Sequence, residues 1–260
     1  MPAIRAKTTL LDRMVKGQTP LGIFVSSLDP AATEVLADAG FDYVVLDGEH
    51  GRLSRIEVEN HVRAAEAGGI VPFVRVLENS PTLIQSMLDV GAHGVVVPHV
   101  DSAADARAAV QASRYAPGGR RGMCPACHAG GYHLKNWGEY SRMANDDIMV
   151  IPIIESRKSV ENIEQILAVD GIDVVHFGPG DLSADMGIDL TTQSDQLMAA
   201  WRTVVQAARA VGKRVLVPRG YGFEGADMLI AEMDLMLLHR VASGIVAEHK
   251  ASLNAVRQSG

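Results

Sequence analysis

At 260 residues the chain is long enough to bury a substantial core and has the length common among alternating β/α barrels. Its net charge of -7 excludes a basic nucleic-acid-binding face as the main partner surface, and no apolar run is long enough to span a membrane. Two cysteines are too few for a disulfide scaffold, which points to a reducing cytoplasm.

Residues 1–17 read as an amphipathic helix without the apolar core and cleavage site of a signal peptide. Residues 20–26 form a first apolar strand. Asp29 is placed to cap a helix with Pro30 at its first position, and Gly40 ends it. Residues 43–46 make a continuous apolar strand, the pattern of one buried on both faces. It runs into Asp47-Gly-Glu-His50-Gly51, and Ser54 caps the next helix, to about residue 67. Residues 71–76 are the third strand, with Arg75 near its end. A helix opens at Ser80-Pro81, and residues 94–98 form the fourth strand, followed by a helix over 102–113.

Residues 115–132 form a loop too long for a simple connector. A helix over 138–144 leads to the fifth strand, 148–154, which ends at Glu155. Val160, Ile163, Ile166 and Leu167 mark the apolar face of the next helix, and the sixth strand, 174–177, runs into Gly178-Pro-Gly-Asp181. A polar stretch, 185–194, precedes a helix to about residue 211. Strand seven is 214–218, residues 226–231 are expected to be helical, strand eight is expected at 234–238, and a terminal helix runs from His239 to about Arg257. Eight strands alternating with helices point to a single-domain (β/α)8 TIM-type barrel over residues 1–260. A doubly wound open sheet is the alternative, because strand count alone does not close a barrel.

In a barrel, chemistry gathers at the C-terminal ends of strands. His50 and Glu49 follow the second strand, Arg75 ends the third, Glu155 follows the fifth and Asp181 the sixth. Glu155 and Asp181 suit a hard divalent cation such as Mg²⁺, Mn²⁺ or Co²⁺. Arg75 is placed to stabilise an enolate oxygen or grip a carboxylate. His50 serves as a base, directly or through water, and the glycines before Asp181 open backbone N–H groups to an anion. Asp47 reads as a turn cap or a partner of Arg75. The Cys124-Pro-Ala-Cys127-His128 run matches the c-type haem attachment pattern, but haem attachment requires export and a zinc set is incomplete. The two cysteines also read as a candidate redox pair, beside the plainer reading of two thiols in a loop.

Leu46-Asp-Gly-Glu-His50, Pro72-Phe-Val-Arg75, Leu88-Asp-Val-Gly-Ala92, Ile154-Glu-Ser156 and Phe177-Gly-Pro-Gly-Asp-Leu-Ser183 together resemble the HpcH/HpaI family of class II pyruvate aldolases. The resemblance runs from about Gly22 to about Val246. It implies a modified barrel, usually a hexamer (a trimer of dimers) whose last helix packs on a neighbouring barrel. It implies a divalent-metal enzyme that cleaves a 4-hydroxy-2-oxo acid to pyruvate and an aldehyde, and runs the reverse addition. By resemblance, Glu155 and Asp181 hold the metal, Arg75 stabilises the pyruvate enolate, His50 is the base, and backbone amides of Gly180 and Asp181 bind the pyruvate carboxylate. Asp89 matches an acid that reaches a neighbouring subunit's site and raises the basicity of its histidine. Two departures stand out. Ile153 takes the place of a glutamine that many relatives carry, and the loop around Cys124 differs from that of aldolases of homoprotocatechuate breakdown.

Overall fold

Most strands hand on to a helix that returns the chain to the start of the next strand, the seventh joins the eighth without one, and the strands pair in chain order until the last meets the first. The computed structural model describes residues 6–190 and 195–258. Residues 1–5 of the expected N-terminal helix and 191–194 of the polar stretch lie outside them. The chain runs α1 (Ala6–Val15), β1 (Leu21–Val25), α2 (Ala31–Asp38), β2 (Tyr43–Asp47), α3 (Arg55–Gly68), β3 (Val71–Arg75), α4 (Pro81–Asp89), β4 (Gly94–Val97) and α5 (Ala103–Ser113). It continues through α6 (Trp137–Asp147), β5 (Met149–Ile154), α7 (Arg157–Glu161), α8 (Ile163–Leu167), β6 (Val174–Phe177), α9 (Pro179–Met186), α10 (Asp195–Ala210), β7 (Arg214–Pro218), β8 (Met228–Met233) and α11 (Asp234–Gln258). The eight strands form a closed parallel barrel, so the open-sheet alternative falls.

Alternation along the strands divides the core in two. Inward residues Tyr43, Val45, Phe73, Val96, Ile151, Ile153, Val174, Leu216 and Ile230 fill the barrel, joined by Leu10 of α1. Outward residues such as Val44, Leu46, Val74, Val95, Ile154 and Phe177 meet the helices. Burial on both faces explains the unbroken apolar runs of the sequence.

Several boundaries differ from those expected. Ala31 is the first residue of α2, with its N–H bonded to the Asp29 carboxylate at 2.9 Å, so Pro30 precedes the helix. The helix after β5 is broken at Asn162 into α7 and α8. The end of the chain needs a larger correction. Residues 228–233, expected to be largely helical, are β8, and the expected strand at 234–238 is the first turn of α11. Asp234 decides this. Its carboxylate accepts the N–H and hydroxyl of Ser26 at 3.0 and 2.9 Å and the Ser27 N–H at 2.9 Å, tying the end of β8 to the end of β1. It also accepts the Leu235 N–H at 2.8 Å. The apolar run that looked like a strand, Leu235, Met236 and Leu238, is exposed on the helix.

Candidate active site

The register that pairs Asp47 with Arg75 across β2 and β3 builds the first part of the site. Asp47 is 0% exposed, and a carboxylate so buried requires partners. Arg75 supplies two, Nε to Oδ1 at 2.9 Å and Nη2 to Oδ2 at 2.8 Å. The N–H groups of Glu49 and His50 also donate to Asp47 Oδ1, at 3.1 and 3.2 Å. Asp47 therefore fills both roles expected of it, turn cap and arginine partner. The guanidinium lies over the Phe24 ring, 4.6 Å from its centroid, and its Nη1 is 3.2 Å from the Glu49 carboxylate. A planar group held by a bidentate carboxylate and an aromatic face is oriented, not merely charged.

Glu49 lies between two imidazoles. His50 Nε2 is 3.8 Å from one carboxylate oxygen and His99 Nε2 is 3.7 Å from the other. His99 was missed in the sequence reading. It follows β4 with φ of 55°, a left-handed conformation that non-glycine residues adopt at a cost. That backbone turns the His99 N–H onto Glu155 Oε1 at 2.7 Å, with ring Nδ1 3.3 Å from the same oxygen. Its position was the available signal, since it follows a strand end as His50 and Glu155 do.

Glu155 follows β5 and is buried. Burial pushes its carboxyl above the usual range, the His99 N–H opposes this, and the charges of Glu49 and Asp181 add to the rise. Asp181 is exposed in the first turn of α9. Gly178, just before that helix, presses on Glu155. A Cβ there would lie 2.8 Å from Ile153 Cγ2 and 3.0 Å from Glu155 Cβ, so only glycine fits without a shift. Gly180 is exposed and faces open space, which leaves the backbone at the start of α9 accessible.

Asp89 is not brought to this mouth within one chain. It is the last residue of α4 and accepts Arg121 Nη2 at 2.7 Å. The long loop lies against the same region. His128 Nε2 is 3.1 Å and His93 Nε2 3.7 Å from the Glu66 carboxylate. Glu66, His93, Arg121, His128 and Tyr140 line part of a cavity of about 290 Å³. The two cysteines of the loop are free and half-buried. The Cys127 thiol donates to the Cys124 carbonyl at 3.2 Å, and burial pushes its pKa up, against a role as a reactive thiolate.

The arrangement offers an oriented guanidinium, a buried acid after β5 that feels the charge of Asp181 in the first turn of α9, and two exposed imidazoles after β2 and β4. Among the described residues no three His, Cys, Asp or Glu side chains are grouped to hold a metal on their own. Comparison with known proteins adds four findings. The family model described as HpcH/HpaI aldolase/citrate lyase matches residues 20–217. The chain is 34% identical over 255 residues to a hydroxypyruvate/pyruvate aldolase of Roseovarius nubinhibens, covering 95% of this chain and 98% of that protein. It is 35% identical over 251 residues to a 4-hydroxy-2-oxo-heptane-1,7-dioate aldolase of Salmonella typhimurium, covering 93% and 94%. The crystal structure of citrate synthase SbnG superposes with a TM-score of 0.84 at 33% identity, covering 94% of this chain and 98% of that one.

Proposed function

From the premise that the chain belongs to the HpcH/HpaI aldolase/citrate lyase family, we propose that it is a divalent-metal-dependent pyruvate aldolase, a single catalytic domain over residues 1–260. It cleaves a 4-hydroxy-2-oxo acid to pyruvate and an aldehyde and runs the reverse addition. The observation that carries this is the oriented Arg75, fixed by Asp47 and Phe24, beside two acids at the ends of neighbouring strands.

Glu155 and Asp181 would hold the cation. The fit is chemical: the charge of Asp181 adds to the cost of ionising the buried Glu155, and a cation between them would remove that cost. Their all-oxygen character suits Mg²⁺, Mn²⁺ or Co²⁺, with water and substrate completing the shell. When bound, the cation supplies Lewis acidity at the keto group of the 2-oxo acid. Arg75 donates to the C2 oxygen, where charge collects as the C3–C4 bond breaks. The backbone N–H groups of Gly180 and Asp181 bind the carboxylate at the start of α9. His50 takes the C4 hydroxyl proton, directly or through water. No lysine stands among these groups, so a Schiff base is not required.

Asp89 acts in this proposal on a neighbouring subunit's histidine, within a hexamer built as a trimer of dimers. Support comes from α11, whose Leu235, Met236, Leu238, Val241 and Ile245 are exposed in the single chain and suit burial on a neighbouring barrel. The protein then works in the cytoplasm on small 2-oxo acids and aldehydes, with neither nucleic acid nor membrane as partner. Among the described residues no helix is long and apolar enough to cross a membrane. The likeness to citrate synthase SbnG favours one second reading, the same enolate chemistry used in a citrate-synthase-like or thioester-cleaving reaction.

Exchange of pyruvate methyl protons in D2O, followed by NMR with each of the three cations and with EDTA, tests the proposal. Exchange with metal that stops with EDTA is expected, together with EDTA-sensitive consumption of pyruvate when an aldehyde is added. No exchange with Mg²⁺, Mn²⁺ or Co²⁺ would overturn it. Exchange without aldol addition would favour the second reading.

A further inference from the structure

His176 is a buried titratable group that the proposed chemistry leaves unused. It stands third in β6, on the inward face with Val174, in register with Ile153 of β5 and Leu216 of β7. The Phe24 ring lies 6.1 Å from its own, centroid to centroid. The residue is 4% exposed, and neither ring nitrogen has a hydrogen-bond partner among the described residues. Burying a polar ring in this way is unfavourable, and an apolar side chain would fill the same space without that cost. Burial and the nearby Arg75 charge push its pKa down to about 3, so one nitrogen is a donor and the other an acceptor at any ordinary pH.

The strand geometry puts this ring under the site. Ile153 is two residues before Glu155, and His176 two residues before Gly178, on strands that pair in register. At about 3.3 Å rise per residue, the imidazole lies roughly 7 Å below the level of the Glu155 carboxylate. Gly178 adds no side chain above it, and Ile153 Cγ2 and Glu155 Cβ border that space. The guanidinium of Arg75 and the His176 ring both lie against Phe24, so the orphaned imidazole borders the group assigned to the enolate oxygen.

Anionic groups of a substrate have partners elsewhere, in Arg75 and the start of α9. A neutral donor–acceptor set among Ile153, Leu216 and Phe24 matches instead a hydroxyl carried on carbon. We propose that His176 is a specificity-determining residue that hydrogen-bonds the hydroxyl of a 2-oxo acid hydroxylated on C3, an inference that rests on the 2-oxo-acid reading given above.

Initial rates of the full-length, Mn²⁺-loaded protein with one fixed aldehyde test this, with 3-hydroxypyruvate or pyruvate as nucleophile. The wild type is expected to use both. In His176→Phe the ratio of kcat/KM for hydroxypyruvate to that for pyruvate falls at least tenfold, with KM for hydroxypyruvate carrying most of the change. His176→Asn, which keeps a donor and an acceptor, recovers part of the ratio. His176→Leu makes the same comparison if the phenylalanine variant does not fold. A ratio unchanged in the apolar variants overturns the inference, as does a ratio that asparagine fails to restore. A wild type that turns over pyruvate and rejects hydroxypyruvate overturns it while leaving the aldolase reading in place. A wild type that uses neither overturns both.

Discussion

Two arginines of this chain are built into almost the same surroundings. Arg75 lies 4.6 Å over Phe24 and is tied to Asp47, and Arg121 lies 4.5 Å over Tyr115 and is tied to Asp89. Each has a glutamate and two histidines nearby, Glu49 with His50 and His99 in one case, Glu66 with His93 and His128 in the other. What differs is access. The Arg75 side chain is 12% exposed beneath two largely exposed imidazoles, whereas that of Arg121 is 0% exposed and two of its nitrogens lack partners among the described residues. Residue types alone would nominate both clusters. Position at the open, C-terminal ends of the strands is what separates a site built within one chain from a braced loop.

Removing the open arginine should have the largest effect. Arg75→Ala is expected to cut kcat for aldol cleavage roughly a thousandfold, and Arg75→Lys to recover little, because the bidentate geometry is lost. Steady-state cleavage rates check this. Arg121→Ala should show itself chiefly in stability, with a loss of about 3 kcal/mol in urea unfolding, since it strands Asp89, and should cost far less rate than Arg75→Ala. If the Arg121 variant lost catalysis with unchanged unfolding, the contrast between the clusters would collapse.

Charge at the mouth can be separated from charge that holds the mouth together. Burial alone would raise the Asp234 carboxyl, but hydrogen bonds from Ser27 and Ser26 hold it below the usual range. A carboxyl depressed in the fold stabilises above its unfolded pKa, and that contribution fades as pH falls through the lower folded value. Asp234→Asn should therefore cost about 2 kcal/mol at neutral pH, with the gap to wild type closing below about pH 4. Glu155 has the opposite sign, because its carboxyl is raised. In EDTA, Glu155→Gln should stabilise the fold at neutral pH and lose that advantage as the medium becomes acid, even though it removes a proposed metal ligand. Chemical denaturation across pH measures both.

The smallest effect sharpens the link between the clusters. Helix α3 begins beside the His50 turn and carries Glu66 near its other end. Its capping box joins Ser54 and Glu57. Ser54→Ala should cost about 1 kcal/mol, read from thermal or urea unfolding.

Much of this was legible in the chain. Strands buried on both faces announce themselves as unbroken apolar runs, so β2 to β7 fell where expected, and with them Arg75, Glu155 and the turn at Gly178. The eighth strand did not. Residues 228–233 alternate weakly, while the exposed start of α11 is the more apolar segment, and an apolar helix face cannot be told from a strand by composition. His99 was hidden because its role depends on a left-handed backbone that no neighbouring glycine or proline pattern demanded. His176 was hidden because one histidine in an apolar strand carries no sign of whether its nitrogens will find partners.

The backbone at His99 has a consequence for how such a protein changes over generations. Glycine would relax the left-handed conformation, by roughly 1 kcal/mol, and would still offer the N–H that holds Glu155. Selection for heat tolerance alone would thus favour discarding the imidazole that stands between Glu49 and Glu155. A lineage that keeps histidine there does so against the gradient of stability, and a laboratory population evolved for robustness without a catalytic screen should lose it early.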